Sequence, residues 1–201
     1  MSTVGSGQKT ATASVRASAF PYRHIACAVD TESASIDAAN EAARLRTFGP
    51  GELTFLHSPE SISAIAPDGL TLPSPSGAMT RRFQEWVVAL ARARNGHVEL
   101  VAGYPPAPVI EWSDQNNVDL IVAGTHRGLL DRMMLGGFAS YLATHASCSV
   151  LLTRPSGEPR SSPTPFRHVA VCVDGSEPSM RALDEARSLV RLGAETLSIV
   201  H

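Results

Sequence analysis

Residues 23–57 read RHIACAVDTESASIDAANEAARLRTFGPGELTFLH. Ile25–Val29 is a short apolar run with β-branched residues, which predicts a buried strand. Asp30, Thr31, Glu32 and Ser33 then supply helix-capping chemistry. From Ala34 to Arg46, Ala and Leu recur at helical spacing until Gly49 ends the pattern. Glu52–His57 alternates in the manner of a second strand. A helix between two short strands is the unit of a parallel sheet with a right-handed crossover.

The chain repeats that unit. Residues 167–201 read RHVAVCVDGSEPSMRALDEARSLVRLGAETLSIVH, in the same ungapped register at a constant offset of 144. His24/His168, Val29/Val173, Asp30/Asp174, Ser35/Ser179, Glu41/Glu185, Gly49/Gly193, Leu53/Leu197 and His57/His201 are identical pairs. The period is that of a domain of about 145 residues rather than of a solenoid repeat. The division expected is a disordered lead-in over 1–19, a complete domain over 20–155, a Pro/Ser linker over 156–166 and an incomplete second domain over 167–201. Strand–helix–strand cannot bury both faces of a sheet alone. The second copy is therefore expected to dock on a neighbour or a symmetry mate, or to be poorly ordered.

Between the copies the alternation continues. Residues 58–77 are rich in Pro and Ser and predict a loop. Ala78–Asn95 predicts an amphipathic helix with Phe83, Trp86, Val87, Leu90 and Ala91 on one face, capped by Gly96. His97–Val101 predicts a third strand, and a helix follows from near Pro106 to about Asn116. Val118–Ala123 predicts a strand covered on both faces, Gly137–His145 a helix and Ser149–Thr153 a last strand. The fold class is α/β, an open doubly wound parallel sheet with helices on both faces, Rossmann-like. Ligands of such sheets sit beyond the carboxyl ends of the strands, where strand order reverses. Asp30 and Gly124 end the first and fourth strands and would face one crevice there.

Composition narrows the function. The 201 residues are 43% apolar and 18% charged, with a formal net charge of −2. No block of like charge marks a nucleic-acid tail or a membrane surface, and no apolar run is long enough to span a bilayer. Lys9 is the only lysine, so a basic side chain that contacts phosphate in the folded part must be arginine. Cys27, Cys148 and Cys172 lie in or beside apolar runs, and their odd count without paired spacing reads as three reduced, buried thiols in a cytoplasmic protein. The seven histidines lack metal-ligand spacing, so no metal site is expected. Neither a lysine-bearing phosphate loop nor a nucleophile elbow is present.

The "AVD" strand end with its Ser-rich cap, "VAGYPP", "DLIVAGTHRG", "RMMLGG" and "HASCSVLLTRP" occur in that order, and together they make the chain resemble a tandem universal stress protein. The resemblance covers about residues 20–155 and resumes over 167–201. It implies a five-stranded sheet of order 3-2-1-4-5, a homodimer and a cytoplasmic stress role. It also implies ATP, with or without magnesium, held by the Asp after the first strand and by a loop of the form Gly-two residues-Gly-nine residues-Gly-Ser/Thr.

This chain departs from that loop. Gly124, Thr125 and His126 match its opening, but Arg127 follows and glycine arrives one residue late, at Gly128. Gly136 then takes the third glycine position, and Gly137 stands where a hydroxyl residue is expected. Backbone amides at a helix N-terminus with its dipole are the chemistry that binds phosphate, and Gly136–Gly137 still supply them. Asp30, Thr31, Gly124, Thr125, His126, Arg127, Gly128, Gly136 and Gly137 are accordingly the candidate nucleotide-binding residues. A plain turn with close helix packing at the glycine pair, and a helix N-cap at Asp30, stand beside that assignment. No general base or magnesium-binding carboxylate cluster is evident, so the expected role is binding rather than hydrolysis. A nucleotide-free dimeric interaction module is the alternative, and an ATP-hydrolysing enzyme the third.

Overall fold

Ile25, Ala26 and Cys27 are wholly buried because the strand that carries them lies in the middle of a sheet. In the computed structural model, which describes residues 20–30, 33–58, 77–103, 105–125, 137–154 and 162–201, β1 spans His24–Ala28. It pairs in parallel with β2, Glu52–His57, on one side and with β4, Leu120–Gly124, on the other. Strand β3, His97–Leu100, lies beyond β2, and β5, Ser149–Thr153, beyond β4. The order is therefore 3-2-1-4-5, all parallel, as the family resemblance implies. Helices α1 (Ser33–Arg46), α2 (Gly77–Arg92), α3 (Ala107–Gln115) and α4 (Gly137–His145) make the crossovers.

Two elements end differently from the sequence expectation, for one reason. Helix α2 is closed by Asn95, at φ 52°, rather than by Gly96. The Asn95 amide donates to Arg92 O at 3.3 Å and the Gly96 amide to Ala91 O at 3.0 Å, the two bonds of a Schellman motif. Gly96 is glycine for space: a Cβ there would stand 2.5 Å from the Phe55 ring. Asn117, also at φ 52°, closes α3 in the same way, with the Val118 amide donating to Ser113 O. Val118 thus belongs to the helix end, and β4 begins at Leu120 rather than at Val118.

The chain divides into two compact units. The one just described comprises residues 24–46 and 51–160, and its sheet and four helices lie there. The other includes residues 20–23, 47–50 and 162–201. It holds β6 (His168–Cys172), α5 (Glu177–Arg191) and β7 (Thr196–Val200), with β6 and β7 a parallel pair. Phe20 meets Tyr22 edge to face and Phe48 at a tilt in this unit, and the Tyr22 hydroxyl donates to Glu185 Oε1. The chain's own early segments thus supply partners for the second copy. Met180, Val190, Ile199 and Val200 remain exposed. The cysteines correct the expectation of three buried thiols: Cys27 is buried, Cys148 half-buried and Cys172 exposed. Strand β6 pairs with β7 alone, so Cys172 lacks the second neighbour that buries Cys27. Burial pushes the Cys27 thiol far above its usual range, and burial followed by the Asp114 charge raises that of Cys148.

Candidate functional site

A sheet of order 3-2-1-4-5 reverses direction between β1 and β4, and the crevice opens at their carboxyl ends. A cavity of about 350 Å³ lies there, lined by Asp30, Ser35, His57, Ser58, Gly124 and Gly137 together with apolar side chains. Its size falls in the range of roughly 300–1,000 Å³ usual for small-molecule sites. Ala28, Val29, Leu56, Val109 and Phe138 form the apolar wall, and the cis-linked pair Pro105–Pro106 closes one side.

Asp30 is fixed by the turn that follows β1. The Ser35 hydroxyl donates to Asp30 Oδ1 at 2.6 Å, and the Asp30 amide donates to Ser35 Oγ at 3.0 Å. Asp30 lies three residues ahead of the first residue of α1, and the Ser35 side chain of that helix holds its carboxylate. The second copy repeats the link, with the Asp174 amide donating to Ser179 Oγ at 3.3 Å.

Gly124 is required by packing. A Cβ there would stand 2.5 Å from the carbonyl oxygen of Ala34. The end of β4 and the start of α1 approach too closely for any other residue. Gly137 is the opposite case: among the described residues, a Cβ there would meet nothing within 4 Å. Close packing therefore does not account for glycine at the first position of α4. Gly137 sets the N-terminus of α4 on the cavity wall, where its amides and dipole attract an anion.

Of the nine candidate residues, Asp30, Gly124 and Gly137 come together at this cavity. Thr125 turns elsewhere: its amide and its hydroxyl both donate to Thr153 O, at 2.9 and 3.0 Å, tying the end of β4 to β5. Thr31, His126, Arg127, Gly128 and Gly136 lie outside the described residues.

The cavity adds residues that sequence reasoning left as strand ends and helix positions, His57 above all. His57 is 4% exposed, and its Nδ1 donates to Val29 O at 3.0 Å. Among the described residues its Nε2 is buried and without a partner. Its signals in the sequence are its place at the end of β2, beside the end of β1, and its match to His201 in the repeat. His24, at the start of β1, has both nitrogens matched, meeting Asn116 O and Thr54 Oγ1, each at 3.1 Å. Among the described residues no group of three His, Cys, Asp or Glu side chains is placed to hold a metal ion, and no helix is long and apolar enough to cross a membrane.

The profile of the Universal stress protein family matches residues 21–154. A universal stress protein of Methanocaldococcus jannaschii is 32% identical over 72 residues, 35% of this chain and 39% of that protein. The chain thus spans well under half the length of that curated relative. A universal stress protein from Lactobacillus plantarum superposes with a TM-score of 0.54 at 23% identity, over 66% of this chain and 98% of the other. A universal stress protein from Archaeoglobus fulgidus has a TM-score of 0.66 at 19% identity, over 89% of this chain and 65% of the other. At these identities the structures share a fold.

Proposed function

The chain belongs to the universal stress protein family, and from that membership we propose that its larger unit is an adenine-nucleotide-binding module of the stress response. It works in the cytoplasm as a homodimer, and nucleotide occupancy biases its conformation or its partners. The observation that carries the reading is the convergence of Asp30, Gly124 and Gly137 on one cavity at the switch point of the sheet. The apolar wall suits a flat nucleoside, Asp30 offers acceptors for its hydroxyls, and the α4 N-terminus suits its phosphates. ATP fits the described residues: none of them lies within 4 Å of where a Cβ at Gly137 would stand, which leaves room for a phosphate there. Magnesium would arrive on the phosphates. The role proposed is binding rather than hydrolysis.

Calorimetric titration with ATP and magnesium tests this, alongside Asp30→Ala. Saturable binding, weakened about tenfold or more in Asp30→Ala, is the expected outcome. A folded sample that gives no heat up to millimolar ATP would turn the reading to a nucleotide-free dimeric interaction module. Stoichiometric release of ADP or AMP, lost in Asp30→Ala, would turn it to an enzyme.

A further inference from the structure

The Ser35 hydroxyl has a single proton, and it goes to a carboxylate. Oγ donates to Asp30 Oδ1 at 2.6 Å, the length of a charge-assisted bond, and accepts the Asp30 amide at 3.0 Å, so the two residues close a ring of hydrogen bonds. Ser35 is 5% exposed and lines the cavity beside Asp30. With that proton committed, Ser35 has none to offer a ligand. Elsewhere in the chain helix hydroxyls return their proton to the backbone, as Ser113 does to Val109 O at 2.7 Å and Thr144 to Ser140 O at 2.9 Å. In the second copy Ser179 also has a backbone acceptor, Ser176 O at 2.9 Å, and the Ser176 amide donates to Asp174 Oδ1.

The place of Ser35 is itself fixed. The carbonyl of Ala34, the residue before it, stands so near Gly124 that a Cβ there would lie 2.5 Å from the oxygen. The start of α1 is thus seated against the end of β4, and Ser35 reaches from that seat to Asp30. An aspartate side chain turns about its own single bonds, and a ligand that needs it in one orientation binds more weakly when it must order the carboxylate itself. We propose that Ser35 is a positioning residue of the nucleotide site: it holds the Asp30 carboxylate in the orientation that meets the ligand, and it acts on the ligand only through Asp30. This rests on the nucleotide-binding reading above and adds to it the device that orders the acceptor in advance.

The full chain is titrated with ATP and magnesium as wild type, Ser35→Ala, Asp30→Ala and the double variant, with thermal midpoints recorded on the same samples. Ser35→Ala is expected to weaken ATP about fivefold, the effect of losing one hydrogen bond. Once Asp30 is alanine, the same change should alter affinity by less than about twofold, because the two residues act as one unit. Ser35→Thr, which keeps the hydroxyl, should restore most of the affinity lost in Ser35→Ala. Ser35→Cys, near serine in volume but a weak donor, should behave as Ser35→Ala and carries the test if that variant does not fold. A serine that served only to stabilise α1 would lower the midpoint and weaken ATP alike with or without Asp30. Wild-type affinity in folded Ser35→Ala or Ser35→Cys, or a loss just as large in the Asp30→Ala background, would overturn the assignment to Ser35 and leave nucleotide binding intact. Failure of folded wild type to bind ATP would overturn the nucleotide reading itself, and this one with it.

Discussion

Asp30 and Asp174 occupy equivalent places in the two copies of the repeat, each tied to a serine five residues on. For Asp174 the consequence is electrostatic. The Ser176 side chain, then the Ser176 amide donating to Oδ1 at 2.9 Å, then Ser179 favour the ionised carboxylate and hold it at about 2, below its ordinary 3.8. Because the folded value is the lower one, the contribution to stability is complete above about pH 5 and is lost as pH falls through 3.8 towards 2. Asp174→Asn should therefore lower the melting temperature of the second copy at neutral pH, with the difference from wild type closing as pH approaches 2. Thermal unfolding followed by circular dichroism over that interval checks it, and a difference that persisted at pH 2 would contradict the cause given. The paired serines are visible in the sequence as matched positions of the repeat. The unmet nitrogen of His57 is not, because whether a second ring nitrogen finds a partner depends on atoms from strands and helices far along the chain.

Glycines teach the same lesson for elements. In the sequence, Gly124, Gly136 and Gly137 were one question, a phosphate loop or a packed turn. The structure separates two of them, since a Cβ at Gly124 would strike the Ala34 backbone at 2.5 Å and one at Gly137 would strike none of the described residues. Gly124→Ala should destabilise the larger unit by about 1–3 kcal/mol, because the obstacle is backbone that cannot swing aside. Gly137→Ser should leave stability nearly unchanged and, by restoring a hydroxyl donor, tighten ATP a few-fold. Denaturant midpoints measure the first effect and titration the second; a large loss of stability in Gly137→Ser would show that the site is not open. Strands and helices were legible because their periodicity is written in consecutive residues. Caps were less so: Asn95 and Asn117 take the left-handed conformation, and the adjacent Gly96 masked the first of these by being the more usual choice. Its real constraint, the Phe55 ring, comes from a strand some forty residues earlier.

Across the whole molecule the duplication sets one sequence pattern in two environments. Strand β1 reads HIACA and β6 reads HVAVC, yet four of the five residues of β1 are buried and only Val171 of β6 is. The difference lies in the neighbours: β1 has β2 on one edge and β4 on the other, whereas the second copy contains β7 alone. Periodicity made both strands legible, but burial is a property of the sheet around a strand. In a parallel sheet the amides of a central strand are hydrogen-bonded on both sides, so opening β1 must disrupt three strands and uncover the core beneath α1. Opening β6 separates one pair and uncovers little beyond Val169 and Val171. Protection from hydrogen exchange follows the free energy of opening rather than the residue type. At neutral pH the β1 amides should therefore exchange more than about 100-fold more slowly than those of β6, although the two sequences are nearly the same. Peptide-resolved exchange read by mass spectrometry compares residues 24–28 and 168–172 directly. Equal protection would mean that β6 has gained in solution the second neighbour that β4 gives β1, and the apolar surface of Ile199 and Val200 would be where to seek it.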